Sequence, residues 1–202
     1  GLVNQAMEHC NQAIGLRDDY SEAHLLLASL QSVMGFHKEA RKRYRALLEK
    51  DPNNHEAAIL IGASYVDDGK LDKGIKYFET LAKTSKKSHV VWYYLGRTYL
   101  QKDSKGNRAN AESAFRTAIR VQPDFVQPVI ELGNLYGKQG KSKDAIKLYE
   151  SYQATYGPDS AIAEPLSQIY LTEELYDKAL EQLQILSESD QGNLNVRLKM
   201  AF

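Results

Sequence analysis

The sequence predicts an all-α chain, built as a solenoid of antiparallel helix hairpins, and three observations carry that expectation. A pattern of residue types returns every 34 positions along the 202 residues. Within each period two places twelve apart hold only small residues, as two helices need where they cross closely. Glycine, proline, asparagine and aspartate fall where helices of this length have to stop.

With Ser21 as the first residue of a unit, further units open at His55, His89, Val126, Ser160 and Leu194, and only the step from His89 to Val126 is longer, at 37. Residues 1–20 supply the second half of a unit, with Ala6 at the twentieth place, Cys10 at the twenty-fourth and Ala13 at the twenty-seventh. Unit 21–54 sets Leu27 and small Ala28 on its first helix with Gln31 at the eleventh place, turns at Met34-Gly35-Phe36, and returns through Ala40, Tyr44 and Leu47 before Asp51-Pro52-Asn53-Asn54 ends it. Unit 55–88 repeats this with Ile61, Gly62 and Tyr65, the turn Asp68-Gly69-Lys70, an N-cap expected at Asp72, and then Gly74, Phe78 and Leu81. Unit 89–125 places Leu95, Gly96 and Tyr99 ahead of Ala111, Phe115 and Ala118, and its three extra residues are expected to form a loop within Asp103–Asn110. Unit 126–159 carries Leu132, Gly133 and Tyr136, the turn Gln139-Gly140-Lys141, and Ala145, Tyr149 and Tyr152. Unit 160–193 carries Leu166, Ser167 and Tyr170, an N-cap expected at Asp177, and Ala179, Leu183 and Leu186, while Pro165 predicts a kink or a shortened first helix. Residues 194–202, with Met200 and Ala201, begin a further unit. Seventh and eleventh places share one helical face, so the large residues form a repeated buried stripe.

Trp92-x-x-Leu95-Gly96-x-x-Tyr99, followed by Ala111-x-x-x-Phe115 and Pro123, resembles the tetratricopeptide repeat (TPR) family, and the resemblance covers essentially the whole chain. It implies a right-handed superhelix whose first helices line a concave groove, with groove side chains from the second, fifth, ninth, twelfth and thirteenth places. Carried onto this chain, Leu25, Ile59, Val66, Tyr93, Leu100 and Ile130 would receive an extended or helical apolar peptide, Arg97 and Asn134 would fix its polar groups, and Gln168 is a further groove residue. Tyr93 and Arg97 are the expected anchors. The lysine and asparagine clamp of co-chaperone members is missing, since Leu25, Ser29, Ile59 and Ala63 hold the corresponding places. Two junctions depart from the family pattern and are expected to be irregular: Lys86 stands where proline is usual, and Pro158 falls one place late.

Composition narrows the function classes. Lys plus Arg and Asp plus Glu are 26 each, so no overall field draws in nucleic acid. The cluster Arg41-Lys42-Arg43-Tyr44-Arg45 is expected to be a solvated helix face with Tyr44 turned inward. A single cysteine, Cys10, permits no intrachain disulfide, is expected to be a buried, inert thiol, and leaves the compartment open to either side of a bacterial membrane. The apolar run 90–95 is far shorter than the ~20 residues that span a bilayer, so the segment is not expected to insert in a membrane. No two of the five histidines share the four-residue spacing of a helical metal site, and no phosphate loop or nucleophile motif stands out, so no catalytic residue, metal or cofactor is expected. The expected function is a noncatalytic scaffold or adaptor that binds a protein or peptide. The alternative is a docking arm of a larger enzyme or envelope or secretion assembly protein whose active part lies outside the segment. Incomplete units at both ends lead to the expectation of a longer parent protein and of possible self-association through terminal hairpins.

Overall fold

Helices open on Ser21, His55, His89, Val126 and Ser160, the same residues at which the 34-residue pattern restarts. In the computed structural model, which describes residues 1–189, the order is α1 (Leu2–Leu16), α2 (Ser21–Val33), α3 (His37–Lys50), α4 (His55–Asp67), α5 (Leu71–Thr84), α6 (His89–Gln101), α7 (Lys105–Val121), α8 (Val126–Lys138), α9 (Ser142–Tyr156), α10 (Ser160–Thr172) and α11 (Tyr176–Ser189). No strand occurs among the described residues. Leu194, Met200 and Ala201, expected to begin a further unit, lie outside them.

Two compact units divide the chain, Gly1–Asn107 and Arg108–Phe202. In the first, each helix from α1 to α6 packs on the next, and α2, α4 and α6 also meet one another in succession. In the second, α8 packs on α9 and α10 on α11, with α10 also against α8 and α9. This is nearest-neighbour stacking, in which each hairpin buries the face that the adjacent hairpin leaves open.

The crossing places explain the close approach. Ala28, Gly62, Gly96, Gly133 and Ser167 are all buried, as are their counterparts Ala40, Gly74, Ala111, Ala145 and Ala179. A Cβ added at Gly62 would lie 2.4 Å from the Phe78 ring, and one at Gly133 only 2.1 Å from that of Tyr149. The large aromatic at the twenty-fourth place therefore fills the space that a side chain at the eighth would need.

After α2, α4, α8 and α10 the chain turns in one way. The sixteenth residue of the unit donates its N–H to the carbonyl of the eleventh: Phe36 to Gln31, Lys70 to Tyr65, Lys141 to Tyr136 and Leu175 to Tyr170, at 2.8–2.9 Å. The fifteenth residue must then take positive φ, supplied by Gly35, Gly69 and Gly140 and, in the last hairpin, by Glu174 at φ 59°.

Four expectations need correction. Asp72 and Asp177 lie inside the first turns of α5 and α11 and not at their N-caps, so they act on the helix dipole. The three extra residues of the third hairpin do not form a loop: α7 begins at Lys105 and runs 17 residues, with Ser104 Oγ accepting from Asn107 N–H at 3.2 Å. Of the kink or shortened helix expected at Pro165, the shortening does not occur: α10 keeps the 13 residues of α2, α4, α6 and α8, with its start capped by Asp159 Oδ1 accepting from Ala161 N–H at 2.8 Å. The junction at Lys86 is regular in length, its carbonyl held by Trp92 Nε1 at 3.0 Å, whereas the one before α10 has only residues 157–159, with Gly157 at φ 89°.

Candidate functional site

In the first unit the helices α2 and α4 stand side by side with α3 behind them, and between them opens a cavity of about 530 Å³. Ser29, Ser32 and Val33 of α2 line it with Ala63 and Asp67 of α4, and these occupy the ninth, twelfth and thirteenth places of their units. Tyr44 of α3 forms part of the wall, its hydroxyl 3.1 Å from Ser29 Oγ, and burial raises its phenol pKa. His37 reaches the same space with Nδ1 3.1 Å from Ser32 Oγ. A rim of exposed Val33, Met34 and Phe36 adjoins it, so the opening combines small polar walls with apolar edges.

The nine residues singled out in the sequence are distributed over both units, and none of them lines this cavity. Within the first unit, Leu25, Ile59, Val66, Tyr93 and Leu100 are half-buried and Arg97 is exposed. Leu25 packs on the core formed by Ala28, Tyr44 and Ile61, and Val66 lies beside the bare face of Gly74. Tyr93 and Arg97 do come together, with the guanidinium 5.7 Å from the ring centroid. Within the second unit Ile130 is half-buried, and Asn134 and Gln168 are exposed. Asn134 is already engaged: its Oδ1 accepts from Tyr149 Oη at 3.3 Å, and the Ile130 carbonyl accepts from the same hydroxyl at 3.1 Å.

A second feature repeats along both units. The tyrosine at the eleventh place of one hairpin bonds the charged residue at the twenty-fifth place of the hairpin before it. Arg45 donates to Tyr65 Oη at 2.8 Å and Arg116 to Tyr136 Oη at 2.5 Å, while Tyr99 donates to Glu79 at 2.5 Å and Tyr170 to Glu150 at 2.6 Å. Burial, reinforced by the Glu112 carboxylate, pushes the Tyr136 phenol up to about 12. These bonds join neighbouring hairpins. Their signal was present in the sequence as arginine or glutamate at every twenty-fifth place that faces a tyrosine.

The basic cluster of α3 is a solvated face only in part. Arg41 is only 5% exposed; it donates to the Ser64 carbonyl at 2.8 Å and to Asp68 Oδ2 at 2.7 Å, and lies 4.5 Å from the Tyr65 ring centroid. Arg43 is half-buried and donates to Gln31, whereas Lys42 and Arg45 are exposed as expected, Arg45 bonding Tyr65 at the surface, and Tyr44 is turned inward. Cys10 is buried, and no helix among the described residues is long and apolar enough to cross a membrane.

Two models of the tetratricopeptide repeat family match the chain, over residues 1–63 and 130–193, together more than half of it. The human protein O-mannosyl-transferase TMTC1 is 25% identical over 195 residues, which cover 95% of this chain and 21% of that protein. The chain spans no more than 31% of the length of the curated relatives it matches. Among solved structures, a thermophilic TPR protein of Thermus thermophilus superposes with a TM-score of 0.65 at 20% identity, covering 90% of this chain and 97% of that one. YrrB, described as a TPR protein with an unusual peptide-binding site, superposes with a TM-score of 0.60 at 16% identity, over 97% of this chain and 100% of that one.

Proposed function

Because the chain belongs to the tetratricopeptide repeat family, we propose that it is a noncatalytic scaffold or adaptor that holds a peptide or helix of a partner protein on its first helices. The observation that carries this reading is the cavity between α2 and α4, whose lining comes from the groove places of two successive hairpins. Its volume falls within the range of clefts that take a few side chains, and its apolar rim with hydroxyl-bearing walls suits an amphipathic segment. Tyr93 with Arg97 stacked upon it forms a preorganised aromatic and cationic pair further along the same unit. Within the second unit, taken by itself, Ile130 holds the fifth place and Asn134 and Gln168 the ninth places of their own hairpins, and they are proposed as that unit's groove residues. The repeat boundaries proposed for this scaffold are residues 21–54, 55–88, 89–125, 126–159 and 160–193.

A partner captured with the 202-residue chain, once its binding segment is mapped as a peptide, supplies the test. Tyr93→Ala with Arg97→Ala is expected to weaken that peptide by about tenfold or more, and Ala63→Trp, which fills the cavity, to weaken it as well. Unchanged affinity in both variants would discard the groove. The likeness to an O-mannosyl-transferase, of which this chain spans 21%, favours a second reading in which the array is the docking arm of a larger enzyme. Sequence flanking these residues in the parent gene separates the two.

A further inference from the structure

Of the four tyrosines at the eleventh place, Tyr99, Tyr136 and Tyr170 are buried and Tyr65 alone is half-buried. It forms the floor of a depression of about 370 Å³ with Tyr77, the two rings tilted with centroids 6.3 Å apart, and Lys73, Lys76, Thr80 and Leu81 of α5 around them. Tyr65 follows Ala63 by two residues, which turns it about 200° round α4, so the depression lies on the side of that helix away from the proposed groove.

The second unit contains the same depression built on Tyr136. There Glu112 and Asp144 share the lining with Arg116, Lys141 and Lys147. The Glu112 carboxylate accepts from Tyr136 Oη at 2.8 Å and from Arg116 Nε at 3.1 Å. A carboxylate at the twenty-first place thus seats itself on the tyrosine and the arginine. In the first unit the twenty-first place is Arg41, which turns to Asp68, and no carboxylate lines the depression. Arg45 donates to Tyr65 Oη, and no acceptor among the described residues takes the Tyr65 proton. Burial raises the Tyr77 phenol pKa, and the charge of Arg45 opposes the rise. The site therefore has a phenol donor, a guanidinium and two ammonium groups, and lacks the anion that its counterpart carries within the chain.

We propose that this depression docks an acidic segment of a partner protein, one aspartate or glutamate carboxylate taking the Tyr65 proton among Arg45, Lys73 and Lys76. The aromatic floor and Leu81 accept the methylenes of the same side chain, and neighbouring acidic residues lie along the lysines of α5. This surface is separate from the groove and does not rest on it.

A fluorescein-labelled hexaglutamate peptide, titrated into the full 202-residue chain at low ionic strength and followed by anisotropy, tests the assignment. Saturable binding is expected. Lys73→Glu with Lys76→Glu should weaken it by about tenfold or more, and Tyr65→Phe, which keeps the ring, by roughly three- to tenfold. Lys138→Glu with Lys143→Glu, the same charge change on exposed lysines of the second unit, should leave it within about twofold. Equal weakening by the two lysine pairs, no effect of Tyr65→Phe, or absence of saturable binding would overturn the site. Complete displacement by millimolar inorganic phosphate would also overturn it, by assigning the depression to small anions. Far-UV circular dichroism checks each variant, and if the α5 pair does not fold, Tyr65→Phe decides alone.

Discussion

Arg41 shows how one residue can outweigh the appearance of its neighbourhood. In a run of four cations it is the one buried against the next hairpin, where the Ser64 carbonyl and Asp68 satisfy its guanidinium. Asp68 in turn accepts from Lys70 and Arg41, each at 2.7 Å, and these bonds, Lys70's first, hold its pKa at about 2. Its unfolded value is about 3.9, so the folded value is depressed. The stabilisation it brings is complete above pH about 4 and is lost as pH falls toward about 2. Asp68→Asn is expected to lower stability at neutral pH by on the order of 1 kcal/mol, and the gap to the parent chain should close between those two pH values. Denaturant unfolding at a series of pH values reads this directly. The run of letters showed four cations and could not show which one the next hairpin would enclose, because Asp68 lies 27 residues away.

Among the elements, the turn between paired helices is the most regular device, and its exceptions are informative. Positive φ at the fifteenth place was legible wherever glycine stood there, at Gly35, Gly69 and Gly140. Asp103 at φ 30° and Glu174 at φ 59° take the same place without glycine's freedom, and only counting from the unit start would have found them. A side chain in the left-handed region costs roughly 1–2 kcal/mol, part of which glycine returns through its more flexible unfolded chain. Glu174→Gly is therefore expected to stabilise the α10–α11 hairpin by about 0.5–1 kcal/mol, measured as a higher denaturant midpoint with unchanged slope. The segment expected to form a loop in the third hairpin is helical from Lys105 onward. Lys105, Arg108, Ala109 and Asn110 can all continue a helix, and α7 extends through them from its Ser104 cap.

For the molecule as a whole, equal numbers of acidic and basic residues mean that attraction to an anion must be local and not a property of the overall field. A 20-base-pair DNA duplex is accordingly expected to give no mobility shift at physiological salt up to micromolar protein, and a salt-dependent shift would contradict the neutral-surface argument. Local anion binding at Tyr65 is compatible with this, since a duplex phosphate backbone needs several cations in line and the depression offers a short cluster. The nearest-neighbour pattern of helix contacts in each unit also puts stability in the joints between hairpins, where the eleventh and twenty-fifth places meet.

The repeat of residue types by itself determined the helical hairpins, their phase and most of their buried stripe, because each depends on contacts within one or two turns and across one short connection. Tertiary structure decided which equivalent places differ. It enclosed Arg41, left Tyr65 half-buried beside Lys73 and Lys76, engaged Asn134 with Tyr149, and opened the cavity at Ser29 and Ala63 away from the residues favoured in the sequence. Those outcomes depend on which side chains the facing helix of the same hairpin or of the adjacent one presents, at separations of eight residues and more, and a place number by itself does not name those side chains.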